Sequence, residues 1–228
     1  MFVMKHYKPT QETREKFNED GNAREYLGNT IVSIMDTEDF LIFNIAKEIQ
    51  LKLEKYSFAE KLYMLPEDSF HMTVLPLLNN VSRGNEEWPD NLPEDIAMSD
   101  ADRILLDKVS SVEKPYKIQM KLTKITPERL ELEPANEETD KALKEYRDEI
   151  ARVTDTKREN HEDYQFHLSI SYIFEALTES ENNKLQEVLN KLNEEYMDYD
   201  MLIQVPEPKF VIYNDMLDFY TDLDKRVE

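Results

Sequence analysis

Cysteine is absent from the 228 residues. That excludes disulfides, Cys-ligated zinc, iron–sulfur clusters and a thiol nucleophile. Glycine is nearly absent: Gly21, Gly28 and Gly84 are the whole set. No GxGxxG or GxxxxGKS/T loop can be built from them, which argues against Rossmann-type and P-loop nucleotide binding. Apolar runs are short, and none approaches the roughly 18 residues that a membrane-spanning helix needs. Met1 to Lys8 has no apolar core, so no signal peptide is expected. Positive charge is scarce. Lys plus Arg is 28 against 49 for Asp plus Glu, a formal net charge of −21. Such a surface repels long nucleic acids and anionic membranes, but a small phosphorylated ligand needs only a local cationic pocket. The expectation is a soluble, cytoplasmic, monomeric protein without a membrane or long nucleic-acid partner.

What is present is enough for a core. Hydrophobic residues make up 40% of the chain, as in ordinary globular proteins. Residues 1–29 read as a polar leading arm with a short helix near Thr10 to Phe17. Thr30 to Met35 reads as a strand, and a helix follows, capped by Asp36 or Thr37 and carrying Phe40, Phe43, Ile45, Ala46, Ile49 and Leu53. Leu62 to Leu65 is a short apolar run before Pro66, and Phe70 to Leu75 alternates as a strand. Residues 79–98 read as an acidic loop with the only Trp, Trp88, long enough to act as a lid. Ser99 or Asp100 can cap a helix through Val109. Tyr116 to Ile125 and Arg129 to Glu133 are strands joined at Thr126-Pro127. A helix over 136–153, a polar loop to Tyr164, a strand over Phe166 to Tyr172 and a helix over Glu179 to Tyr196 follow. Met201 to Val205 and Phe210 to Tyr213 close the chain as strands. This order lacks strict βαβα alternation, so the fold class is α+β with antiparallel sheets.

Two of the four histidines sit in matching contexts. Phe70-His71-Met72-Thr73-Val74 and Phe166-His167-Leu168-Ser169-Ile170 both read Phe-His-apolar-hydroxyl-apolar. On a strand, side chains alternate faces. His71 and Thr73 then share one face, with Phe70, Met72 and Val74 on the other, and the second copy behaves alike. Each strand offers an imidazole and a hydroxyl roughly 6.5–7 Å apart. Two imidazoles with ordinary pKa near 6.5 can divide acid and base work near neutrality. Two hydroxyls can bind phosphoryl oxygens as charge develops. That chemistry requires no metal or other cofactor.

These motifs resemble the paired His-x-Thr/Ser signatures of the 2H phosphoesterase superfamily, which includes the RNA 2′,3′-cyclic phosphodiesterases, or 2′–5′ RNA ligase-like proteins. Glu87-Trp88-Pro89-Asp90-Asn91-Leu92-Pro93 and Gly28-Asn29-Thr30 resemble an uncharacterised bacterial and fungal branch with a Trp-Pro-x-x-Leu-Pro segment. The resemblance spans most of residues 26–220. It implies one bilobal, pseudo-twofold domain over 1–228, with antiparallel sheets lining a central cleft and helices outside. His71, Thr73, His167 and Ser169 would be catalytic. The implied reaction opens a cyclic phosphodiester of the 2′,3′-cyclic type in a small nucleotide or short oligonucleotide. Other readings are hydrolysis of another small phosphodiester, such as a cyclic oligonucleotide signal or an ADP-ribose-derived cyclic phosphate, a non-catalytic phosphoryl-binding module, and an acidic interaction protein.

Weaker substrate-binding candidates are Tyr26 and Asn29 ahead of the first strand, Trp88 as a stacking platform, and Tyr172. Tyr172 lies five residues after His167, so on an ideal strand it faces away from the cleft. Arg83, Lys157 and Arg158 are candidate local cations. His161, in an acidic run, reads as a solvated loop residue, with metal ligation as the alternative.

Overall fold

The computed structural model describes residues 6–85, 87–156, 159–197 and 201–227. A short helix α1 (Gln11–Lys16) starts at Thr10, whose hydroxyl accepts from the Thr13 N–H. Strand β1 (Gly28–Ile34) and helix α2 (Leu41–Leu53) follow, then β2 (Leu62–Met64) and β3 (His71–Asn79). Helix α3 (Met98–Val109) leads to β4 (Ile118–Ile125) and β5 (Arg129–Pro134). Helix α4 (Glu137–Thr154) precedes β6 (Phe166–Ser169) and β7 (Ser171–Ile173). Helix α5 (Glu179–Met197) and strands β8 (Ile203–Val205), β9 (Lys209–Tyr213) and β10 (Phe219–Tyr220) complete the chain.

The helices form because their apolar residues recur every three to four positions. On α4 the buried apolar residues are Leu143, Tyr146, Ile150 and Ala151. On α5 they are Leu185, Val188, Leu189, Leu192 and Tyr196. Two expected caps do not form. The residue before α2 is Phe40, whose N–H reaches the Thr37 carbonyl across a turn, and no side chain caps the helix. Helix α3 begins two or three residues earlier than expected, so Ser99 and Asp100 lie inside its first turn, where an acid still suits the helix dipole.

Eight strands make one antiparallel sheet in the order β10-β9-β1-β3-β6-β5-β4-β8, and β2 pairs with β7 as a separate ribbon. The fold is α+β, as the mixed element order required. The two motif strands, far apart in sequence, are neighbours at the middle of the sheet. Their halves, β10-β9-β1-β3 and β6-β5-β4-β8, meet where Met72 pairs with Leu168. Both of these side chains are fully buried. Phe70 packs edge-on against Phe43 of α2, with centroids 5.7 Å apart, which ties the apolar face of the motif strand to a helix.

One irregularity shapes the cleft. Along β1 the pairing steps from Ile31 opposite Leu75 to Val32 opposite Thr73, so Val74 is bulged. The bulge carbonyl accepts from Arg147 of α4 at 2.5 Å. It also resets the alternation, so that His71, Thr73 and Pro76 all line the cleft. A tolerated proline follows naturally, because a ladder that is already interrupted loses little by lacking one N–H.

Gly28 has a steric reason. A Cβ there would collide with the Tyr213 hydroxyl and lie 2.7 Å from the Leu78 carbonyl oxygen. Neighbouring Asn29 is buried and structural: its amide donates to Asp102 at 2.7 Å and its carbonyl oxygen accepts from the Leu78 N–H. Asp102 in turn pairs with Arg226 at 2.7 Å, with both side chains buried, which pins the C-terminal turn to β1.

Candidate active site

The sheet's polar face lines a cleft of about 650 Å³. His71, Thr73, His167 and Ser169 all border it. The antiparallel register about Met72 and Leu168 sets Thr73 across from His167, and His71 across from Ser169. The result is a square of two imidazoles and two hydroxyls, with each hydroxyl beside the other strand's histidine. Facing Cβ atoms in such pairs are roughly 4.5–5.5 Å apart.

The two rings are held in the same way. His71 Nδ1 lies 2.7 Å from the Ser69 carbonyl oxygen, and His167 Nδ1 lies 2.9 Å from that of Gln165. A carbonyl only accepts, so both Nδ1 atoms carry the proton and donate. Each ring thus leaves Nε2 as its proton-accepting nitrogen. Burial pushes the His71 imidazolium down to about 4, more than the Ser69 carbonyl restores, and the charges of His167 and Lys16 add to the fall. The Phe219 ring of β10 sits 4.1 Å from the His71 ring, centroid to centroid. His167 is also lowered, chiefly by burial and further by Arg129 and Lys16, while the Gln165 carbonyl and Glu12 act in the opposite direction. The environments of the two histidines therefore differ in sign at one point: a carboxylate supports the protonated form of His167.

Several neighbours were not legible in the sequence. The Tyr164 phenol lines the cleft with Thr73, and burial pushes it up to about 12. The Arg147 guanidinium lies 4.6 Å from the Tyr164 ring and donates to the His161 carbonyl at 2.6 Å. Arg129 of β5, in register with Ser169, lines the cleft. So does Lys16, from the last turn of α1. Residues 6–29 are accordingly part of the site: Gln11, Glu12 and Glu15 of α1 also form its wall.

Of the weaker candidates, Tyr26 and Tyr172 line the cleft, while Asn29 and Trp88 do not. Tyr172 reaches it because the strand breaks at Ile170. Its segment, β7, pairs with β2 instead, which resets the alternation. Trp88 is buried, and its indole N–H donates to the Leu92 carbonyl at 3.0 Å. It anchors the 79–98 segment, helped by Arg83, which stacks over the indole at 4.8 Å and donates to the Glu94 and Ile96 carbonyls. Arg83 is therefore committed to this loop, and among the described residues the lysine and arginine cations of the cleft wall are Lys16 and Arg129. Asn79, Val81, Ser82, Asn85 and Glu87 from the same segment form one cleft wall. Lys157 and Arg158 lie outside the described residues.

His161 is buried, contrary to the solvated loop residue expected, because Arg147 draws its carbonyl inward and Asp148 meets its Nε2 at 2.8 Å. With Asp148 and Glu162 it forms the one trio among the described residues whose ligand atoms could share a metal ion. That trio borders a separate recess, and Lys144 approaches Glu162 at 3.6 Å. None of the three lines the main cleft.

The class into which the chain falls is that of the 2H phosphoesterases. The chain belongs to the 2H-phosphodiest family, described as a domain of unknown function (DUF1868), whose model matches residues 16–131. The match includes the first His-x-Thr motif but ends before the second, which the sheet brings in. Among solved structures, the conserved protein of unknown function ATU0111 from Agrobacterium tumefaciens str. C58 shares the fold. Its TM-score is 0.85 at 24% identity, covering 94% of this chain and 92% of that one. A structure titled only phosphoesterase gives a TM-score of 0.44 at 12% identity, covering 82% and 88%. TT0787 of Thermus thermophilus gives 0.39 at 11%, covering 81% and 86%. No curated protein matches the chain. No helix among the described residues is long and apolar enough to cross a membrane.

Proposed function

We propose that this 2H phosphoesterase is a metal-independent phosphodiesterase that opens a 2′,3′-cyclic phosphate in a small nucleotide or short oligonucleotide. The observation that carries the reading is the matched pair of histidines, each with Nδ1 tied to a backbone carbonyl and Nε2 left for chemistry.

The roles follow from the two environments. His71, which burial holds in its neutral form and which has no carboxylate beside it to favour the imidazolium, is the base. Its Nε2 takes a proton from water as the water oxygen bonds to phosphorus. His167, near Glu12, is the acid. It gives a proton to the ribose oxygen as the ring P–O bond breaks. One P–O bond forms and one breaks, and the product is a phosphomonoester. Thr73 and Ser169 donate to the non-bridging oxygens, where negative charge grows. Tyr164, on the cleft wall with Thr73, orients that hydroxyl. The aromatic walls, Tyr26, Tyr172 and Tyr213, suit a base, and 650 Å³ suits one or two nucleotides.

The test is a screen of the purified protein, in EDTA, against nucleoside 2′,3′-cyclic phosphates and short oligonucleotides ending in one. Turnover should survive the chelator. His71→Ala and His167→Ala should each lower kcat/KM by roughly 10²–10⁴-fold. Thr73→Val and Ser169→Ala should cost on the order of 10²–10³-fold. Full activity in His71→Ala would refute the assignment. Ligand binding without turnover would favour a phosphoryl-binding module.

A further inference from the structure

Lys16 is the last residue of α1, and the side chain is only 11% exposed. It is held there by its successor. Phe17 is completely buried, its ring 5.0 Å from Tyr63 and 4.8 Å from Tyr172. The ammonium meets Glu12 at 2.6 Å and the Tyr172 hydroxyl at 3.4 Å. It also lies 5.8 Å from the Tyr26 ring centre and 5.3 Å from that of Tyr172. Two of its three N–H directions are thus taken within the protein.

A purely structural ion pair does not account for this placement. Burial works against the ammonium, and Tyr172, Glu12 and Tyr26 more than offset it, so the charge is retained on the cleft wall; Glu12 itself is largely solvent-exposed, so pairing with it does not require the ammonium to lie inside the cleft. Lys16 also disfavours protonation of both His71 and His167, so its charge reaches both rings. An ammonium beside a histidine that must act as an acid is unfavourable in an empty cleft. An anion among them removes the conflict, because it attracts the ammonium and the imidazolium together. Arg129 approaches the same square through its register with Ser169. With Lys16 it makes up the two lysine or arginine charges among the described residues of the cleft wall, within a chain of net charge −21.

From this placement we infer that Lys16 is a phosphoryl-binding residue, whose ammonium leaves Glu12 to take a non-bridging oxygen of the bound phosphate. The inference rests on reading the cleft as a phosphoester site. Glu12 is then a parking partner that keeps the ammonium charged and in place until a ligand arrives. Helix α1 becomes the element that completes the site.

The experiment measures dissociation constants for inorganic phosphate and adenosine 3′-monophosphate by calorimetry at fixed salt, with the ring nitrogens of His71 and His167 followed by NMR. Lys16→Met should weaken both ligands by about tenfold or more, as for a lost charge-assisted hydrogen bond. Lys16→Arg, which keeps the charge, should stay within about threefold of the native protein. Glu12→Gln should bind phosphate at least as tightly as native. In the empty cleft, Lys16→Met should raise the titration midpoints of both histidines. The inference is overturned if Lys16→Met binds phosphate like the native chain. It is also overturned if Glu12→Gln loses as much affinity as Lys16→Met, since the pair would then be structural. A native protein that binds neither ligand refutes this inference and the phosphoester reading together. Phosphate binding that depends on Lys16, in a protein that turns over no cyclic phosphate, refutes only the phosphodiesterase reading.

Discussion

Neutral His71 makes folding stability depend on acid in a way that one substitution isolates. The folded value is about 4, against an ordinary 6.5, because burial beneath Phe219 disfavours the imidazolium. Between those values the unfolded chain binds a proton that the folded chain refuses. Stability therefore falls as pH drops through this window, by about 1.4 kcal/mol per pH unit for one proton. The penalty is absent above the unfolded value and complete below about pH 4, where it totals about 3 kcal/mol. Many carboxylates titrate over the same range, and relief of the excess negative charge acts in the opposite direction. Only a difference between two proteins is interpretable. His71→Asn is the suitable partner, since its side-chain N–H can still donate to the Ser69 carbonyl. We expect His71→Asn and native melting temperatures to converge, or cross in favour of the variant, between about pH 7 and pH 4.5. The relative change should be about 5–10 °C for a chain of this size. NMR titration of the His71 ring should place its midpoint near 4. Phe219→Ala, by admitting water, should move it upward. Parallel melting curves for the two proteins across pH, or a His71 midpoint near 6.5, would refute the burial argument.

Two further outcomes follow from the same cleft. The motif alone predicts a bell-shaped rate profile around neutrality, but both histidines are lowered in the folded protein, so the free-enzyme profile moves to acid. In kcat/KM the base limb should lie near pH 4 and the acid limb below 6.5, while kcat, reporting the anion-bound complex, should run higher; a kcat/KM bell centred at or above pH 7 would contradict it. Glu12, Glu15 and Glu87 bring part of the net charge of −21 to the cleft wall, so kcat/KM should fall as oligonucleotide length grows, and added salt should reduce that penalty. Tight binding of long RNA that weakens with salt would instead reveal a cationic groove.

The sequence by itself determined the two halves of the candidate site. Strand alternation is a local property, so Phe-His-apolar-hydroxyl-apolar puts each imidazole and hydroxyl on one face whatever surrounds them. The helices α4 and α5 were equally legible, because their apolar spacing is also local. The scarcity of glycine excluded the phosphate-cradling loops for the same kind of reason. Caps were less legible, since a turn before α2 moved its start beyond Asp36 and Thr37. What only the tertiary structure decided was which residues share the cleft. Pairing β3 with β6 at Met72 and Leu168 joins motifs 96 positions apart, and no local pattern encodes that register. The break at Ile170 turns Tyr172 into the cleft against its expected alternation. The Val74 bulge, tied to Arg147, keeps Pro76 on the cleft wall with Thr73. Lys16, Arg129, Tyr164 and Phe219 come from four separate segments, each ordinary in sequence. Their roles arise from burial and proximity, and these set the pKa of both histidines. A charge or ring acts on a neighbour in space, and the chain order says nothing of that distance until the sheet has closed.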